Sequence, residues 1–157
     1  MAGKSRVLLI DDDHDDRQLF ALALARSGLN VDLFEATDGY AAINYLLGNK
    51  PYADRAKFPF PDLVFLDLKM PGMDGFDVLK QIRTRLGLQN LPVIVFTNSD
   101  DKTDVTAAYS SHASAFHQKP FESDALVAFL QEVIPLWTQV RSPVSTTPSQ
   151  ISPRKTL

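Results

Sequence analysis

The sequence predicts an α/β fold: a single doubly wound, five-stranded parallel sheet with helices on both faces. Three observations carry that prediction. Runs such as RVLLI (6–10), DLVFLD (62–67) and PVIVFT (92–97) are apolar at nearly every position, as strands covered on both faces are. Each strand-like run is followed by one segment with helical spacing, which makes five strand-helix pairs. A length of 157 residues, 45% hydrophobic and 22% charged, suits one core.

The elements follow in order. After residues 6–10, Leu19, Leu22, Ala23 and Arg26 recur at helical spacing until Gly28 stops the helix. VDLFEA (31–36) is the second strand, followed by a helix over about 38–47 that ends at Gly48. DLVFLD precedes a helix over 75 to about 86, with Phe76, Leu79 and Ile82 inward and Gly87 as its stop. PVIVFT precedes a weaker helix over about 101–111, with Val105, Ala108 and Tyr109 on its apolar face. A short strand near 113–117 leads to a last helix over 123 to about 137, burying Leu126, Phe129, Leu130 and Val133. Pro135 inside it removes one backbone hydrogen bond and should kink or end it. The link NKPYADRAKFPFP (49–61) is long, and Tyr52, Phe58 and Phe60 suggest that it folds back over the body. The expected strand order is flavodoxin-like, 2-1-3-4-5.

Composition excludes several functions. No run approaches the roughly 20 apolar residues that cross a bilayer, and MAGKSRVLLIDDD is too short in apolar residues for a signal peptide, so a cytoplasmic protein without membrane attachment is expected. The absence of cysteine removes disulfides, zinc ribbons, iron-sulfur clusters and thiol nucleophiles. The net charge is −3, and residues 138–157 hold three basic side chains and no acid, which leaves −6 on residues 1–137. A net-negative body argues against nucleic acid as a partner. Residues 138–157 are also set apart by Ser, Thr and Pro at 11 of 20 positions, and read as a disordered or loosely docked arm beyond a domain at 1–137.

Ligands bind beyond the carboxyl ends of the strands in such sheets. The first strand ends in Asp11-Asp12-Asp13, the third in Asp67, the fourth in Thr97-Asn98-Ser99 and the fifth in Gln118-Lys119-Pro120. In the expected order these four ends are neighbours. Asp11, Asp12 and Asp67, with no His or Cys among them, suit a hard divalent cation such as Mg²⁺. Asp67 is then a metal-activated nucleophile able to form an acyl phosphate, with Lys119 and Thr97 contacting the phosphoryl oxygens.

At these positions the chain resembles the two-component response regulator receiver domains. The matching elements are LLIDDD, LDLKMPGMDG, FTNSD and FHQKPF, in order, and the resemblance covers roughly residues 5–137. It implies that Asp67 is the phosphoacceptor, that Asp11 and Asp12 bind the metal with Asp12 as direct ligand, and that Lys69 offers its backbone carbonyl. It further implies that Thr97 and Lys119 read the phosphoryl group, that Phe116 is the switch aromatic paired with Thr97, and that the Lys119–Pro120 bond is cis. Asn98 departs from the small residue many receivers carry. The long link, LPVIVFTNSD, AYSSHASAF and VIPLWTQV are similar to single-domain regulators paired with phytochrome-type histidine kinases, which implies bacteriophytochrome light signalling.

The implied protein is no conventional enzyme. It is a stand-alone phosphoacceptor that catalyses its own phosphorylation and dephosphorylation, takes a phosphoryl group from a histidine kinase and signals by contact with a downstream phosphotransfer or effector protein. A homodimer through Leu136, Trp137 and Val140 is expected. Two rival readings fit the residues less well. A haloacid-dehalogenase-type phosphatase wants an Asp two residues after the nucleophile, where this chain has Lys69. A phosphorylation-independent binding module on the same scaffold would be favoured by a missing acceptor or lysine, and both are present. Asp13, Asp15 and Asp16 read as first-turn acids that favour the helix N-terminus without chemistry. His14, His112 and His117 lack metal-ligand spacing and read as solvated or half-buried polar positions.

Overall fold

The computed structural model describes residues 3–139. Five strands, β1 (Ser5–Ile10), β2 (Val31–Ala36), β3 (Leu63–Leu66), β4 (Val93–Thr97) and β5 (Ala115–Gln118), form one parallel sheet in the order β2-β1-β3-β4-β5. The helices between them are α1 (His14–Ser27), α2 (Gly39–Leu47), α3 (Gly75–Arg83), α4 (Lys102–Ser110) and α5 (Ser123–Gln139).

Strand periodicity divides the core in two. Leu8, Ile10, Val64, Leu66, Val93 and Val95 face α2, α3 and Ala108 of α4, whereas Val7, Leu9, Leu63, Phe65, Ile94 and Phe96 face α1 and α5. All four residues of β3 are fully buried, as the central strand of a doubly covered sheet requires. Each large aliphatic or aromatic side chain removed from water in this way contributes roughly 1.5–3 kcal/mol.

Polar signals set the ends of the helices. Asp13, Asp38, Asp74 and Asp101 are N-caps whose carboxylates accept from backbone N–H groups of the first turn, and Asp74 forms a capping box with Asp77. Gly28 and Gly48 close α1 and α2 at φ of 77° and 73°, a region where other residues are strained. The 49–61 link does fold back: Tyr52 and Phe58 pack edge-on or tilted around Tyr45. Arg55 donates to the carbonyls of Tyr45, Leu46 and Phe58 at 2.8, 2.8 and 3.1 Å, which occupies orphan acceptors at the end of α2.

Four expectations are corrected. Leu19 and Leu22 lie on the exposed side of α1, at 51% and 57% exposure, and the inward face is Phe20, Ala23, Leu24 and Ser27. The helix is apolar on both sides, so spacing alone picked out Ala23 of the inward face but not Phe20 or Leu24. α3 ends at Arg83, short of Leu86, because the buried Arg83 guanidinium donates to the carbonyls of Leu88, Leu91 and His112 and draws the chain into a loop. Tyr109 is exposed, which leaves Ala108 as the only buried residue of α4, and Phe129 of α5 is half-buried. α5 runs through Pro135 to Gln139 with Val133 and Ile134 buried, their packing outweighing one lost backbone bond. Apart from Thr138 and Gln139, which α5 includes, the expected arm at 138–157 lies outside the described residues, as does Val140. Among the described residues no helix is long and apolar enough to cross a membrane.

Candidate phosphoryl-acceptor site

Ladder hydrogen bonds continuing past the strand ends fix each site residue. The backbone N–H of Asp11 donates to Ala36 O at 3.1 Å, that of Asp67 to Ile10 O at 2.9 Å, and that of Lys119 to Thr97 O at 2.7 Å. Asp11, Asp67, Thr97 and Lys119 are therefore carried on rigid backbone at one edge of the sheet, and all four are buried. Burial of four polar side chains in one place is costly unless they satisfy one another.

Three of them do. Lys119 Nζ donates to Asp11 Oδ2 at 2.7 Å, to Asp67 Oδ2 at 3.2 Å and to Asp16 Oδ2 at 2.7 Å. Carboxylate oxygens of Asp11, Asp12 and Asp67 lie within 4.8 Å of one another, with Asp12 exposed to solvent. Thr97 is the exception: its Oγ1 is the one buried side-chain polar atom among the described residues with no hydrogen-bond partner. A buried hydroxyl left unpaired at the end of a strand can donate to an acceptor oxygen brought beside it.

The structure brings Asp11, Asp12, Asp67 and Lys119 together, with Thr97 at the adjoining end of β4, where its carbonyl accepts from the Lys119 N–H. Lys69 is exposed; its backbone N–H donates to Asp67 Oδ1 at 3.3 Å and its ammonium pairs with Asp104 at 3.3 Å. Asp104 also accepts from Ser99 Oγ at 2.6 Å, so the acceptor loop and the start of α4 share one carboxylate. Phe116 is half-buried in β5 against the α2–α3 side of the core, and its N–H donates to Tyr109 Oη at 3.1 Å. Asn98 is exposed, with its carbonyl accepting from Gln118. His14 and His112 are exposed and His117 packs on Phe129, in keeping with polar surface positions.

Two site expectations are corrected. Among the described residues the cis peptide bond is Lys50–Pro51, and Lys119–Pro120 is trans. The trans form is intrinsically favoured by about 0.5–1 kcal/mol, and Lys119 already reaches three carboxylates with it. Asp16 is more than a first-turn acid, since its carboxylate binds Lys119. In the sequence its place in the first turn of α1 has a sufficient local explanation, so no signal set it apart. Arg17, unremarked in the sequence, donates to Asp11 O at 3.0 Å and pairs with Glu35.

Electrostatics are uneven within the cluster. Burial pushes the Asp11 carboxyl up to about 6, against the pull of the hydrogen bonds from Lys119 and the Asp13 backbone. Burial also pulls the Lys119 ammonium down, but its bonds to Asp11 and Asp16 and the charge of Asp67 more than offset that and hold it above its ordinary value. A carboxyl that binds its proton more tightly in the folded chain destabilises the fold above pH about 6, and that cost fades as pH falls toward 3.8. Protons also compete with a cation for Asp11. Calorimetric titration with Mg²⁺ is expected to show constant affinity above pH 7 and weaker binding as pH falls through about 6. A flat profile from pH 7 to 5 would contradict this.

The chain belongs to the response regulator receiver domain family, whose model matches residues 7–131. Within that family it is similar to the response regulator Rcp1 of Synechocystis sp. (strain ATCC 27184 / PCC 6803 / Kazusa), 31% identical over 133 residues that cover 85% of this chain and 88% of Rcp1. Among solved structures it is similar to the phosphorylated cyanobacterial phytochrome response regulator RcpA, with a TM-score of 0.77 and 28% identity over 86% of this chain and 94% of that one. It also matches response regulator RPA3017 in red light signaling of R. palustris, with a TM-score of 0.79 and 30% identity over 85% and 93% of the two chains.

Proposed function

We propose that the chain is a receiver that accepts a phosphoryl group on Asp67 from the phosphohistidine of a phytochrome-type histidine kinase, and catalyses both the gain and the loss of that group. The observation that carries the reading is the unpaired, fully buried hydroxyl of Thr97 at the same sheet edge as the Asp67 carboxylate and the Lys119 ammonium. The relatives described as phytochrome or red-light regulators support the class of kinase.

In the forward step an oxygen of the Asp67 carboxylate attacks phosphorus, and the donor's P–N bond breaks with its electron pair returning to the imidazole. Lys119 meets the negative charge of the transferring oxygens from one side. The residues fit a divalent cation, since three carboxylates converge without a nitrogen or sulfur ligand, so Asp11, Asp12 and Asp67, with the Lys69 carbonyl, would hold Mg²⁺. Its chemistry there, when bound, is withdrawal of charge from the phosphoryl oxygens.

The modified Asp67 carries roughly two negative charges where it had one. Thr97 then turns its free hydroxyl to a phosphoryl oxygen, and Phe116 moves into the space vacated, reshaping the face of α4, β5 and α5. Inverting a two-state switch from 1:99 to 99:1 takes about 5.5 kcal/mol. Charge-assisted hydrogen bonds of roughly 1.5–3 kcal/mol each are of the right size.

Intact-mass measurement after incubation with acetyl phosphate tests the reading. A gain of one phosphoryl group with Mg²⁺, abolished by a chelator, supports it, and no gain in either condition refutes it. The signal then passes to a downstream phosphotransfer or effector protein by contact with the reshaped face. The same proposal includes a homodimer through the end of α5, where Leu136 is 58% exposed beside Trp137. Sedimentation is expected to show a dimer that Leu136→Asp converts to monomer; identical sedimentation of the two would remove that part of the reading.

A further inference from the structure

Lys119 is surrounded by more acid than phosphoryl recognition needs. An ammonium has three N–H donors, and the structure uses all of them, on Asp11, Asp16 and Asp67. Asp11 and Asp67 also belong to the group of three carboxylates close enough to share a cation, and Asp16 stands outside it. A divalent cation and an ammonium compete for the same lone pairs and repel one another across a few ångströms of low-dielectric protein. Something has to keep the lysine to one side.

Nζ is 2.7 Å from Asp16, the same as from Asp11, and 3.2 Å from Asp67, so Asp16 holds it as closely as the more deeply buried Asp11 does and more closely than Asp67. Asp16 is placed by the start of α1, its backbone N–H donating to the Asp13 carboxylate at 3.0 Å. Its side chain is 28% exposed, against 2% for Asp11 and 9% for Asp67, so its charge keeps part of its hydration. Asp16 is thus the anion among the three that can bind the ammonium permanently while the other two exchange partners.

We propose that Asp16 is a positioning residue for the cation site: by holding the Lys119 ammonium against α1, it leaves Asp11 and Asp67 available to a divalent cation. Without it, the ammonium has only those two carboxylates left and settles on them. The inference rests on the reading of Asp11, Asp12 and Asp67 as a cation site.

The plain rival is that Asp16 adds one negative charge to the neighbourhood, as Asp15 does from a side chain 90% exposed. Mn²⁺ binding, followed by the paramagnetic resonance of the free ion, separates the two without any phosphoryl chemistry. Asp16→Asn is expected to weaken Mn²⁺ binding roughly fivefold or more, a size typical of coupled neighbours. Asp15→Asn is expected to change it less than about twofold, as screened surface charge does, and Asp16→Glu to restore most of the loss. In a Lys119→Met background, Asp16→Asn should do no more than Asp15→Asn does. Equal losses in Asp16→Asn and Asp15→Asn, or the same loss with and without Lys119, would overturn the inference. If Lys119→Met does not fold, the comparison of the two asparagine variants decides alone. Failure of the site reading looks different: the wild-type chain would bind no Mn²⁺, or Asp12→Ala would bind it as well as wild type, and the inference would fall with the site.

Discussion

Asp67→Ala is expected to take up no phosphoryl group from acetyl phosphate and Mg²⁺ where the wild-type chain gains one, while keeping a cooperative unfolding transition. The chemical argument is that the nucleophile is gone. Asp11 is not a substitute in this reading, because its carboxylate, buried beside Lys119, is needed to hold the cation. Asp12 is exposed to solvent and is not among the three carboxylates that Lys119 binds. The structural argument is that the fold loses little. Lys119 keeps Asp11 and Asp16 as counter-ions, so no charge is left buried alone. Thr97→Ala should behave differently: it takes up the group, yet the spectroscopic change that accompanies uptake is blunted. Residual stoichiometric phosphorylation of Asp67→Ala would place the acceptor elsewhere, and an undiminished response in Thr97→Ala would remove the hydroxyl from the switch.

Gly75→Ala is expected to cost about 3 kcal/mol, at the upper end of ordinary overpacking. An added Cβ would stand 2.7 Å from Leu68 Cα and 2.9 Å from the carbonyl carbon of Asp67, and it would collide with the Asp67 carbonyl oxygen. Those are backbone atoms, and they cannot swing aside as a side-chain tip can. The better helix propensity of alanine returns at most about 1 kcal/mol. A loss of that net size lowers the thermal midpoint by on the order of 10 °C. Because the displaced atoms belong to Asp67 and Leu68, phosphoryl uptake should slow as well. An unchanged midpoint in thermal melts would show that the loop between β3 and α3 yields without cost.

The two predictions mark what the sequence could and could not convey. Asp67 was legible because it combines an apolar strand with a terminal carboxylate and a Pro-Gly turn, and the strand order followed from continuous apolar runs. Five site residues at four strand ends then converge by topology alone. Asp16 was not legible in the same way. A first-turn acid on α1 has an adequate local explanation in the helix dipole, and only the length and direction of the Lys119 side chain, 103 residues away, reveals another. The stripe of α1 was misjudged for a related reason: Leu19 and Leu22 are as apolar as Phe20 and Leu24, and no property of the helix alone says which pair meets the sheet. The Lys119–Pro120 bond was inferred from resemblance, where local energetics favour the trans form the structure has.

Among the described residues, α4 has the weakest claim on its place. It buries a single alanine in the core, and it is tethered at its start through Asp104, which Lys69 and Ser99 share. An element so loosely held opens at a small fraction of the global unfolding free energy, and its amides should exchange with solvent well before those of β1 or β3. That weakness is useful for relaying a signal. The few kilocalories released around one modified carboxylate could not repack α2 or α5, but they are of the size needed to shift a helix that buries so little. Lys69, two residues from Asp67, links that helix directly to the chemistry.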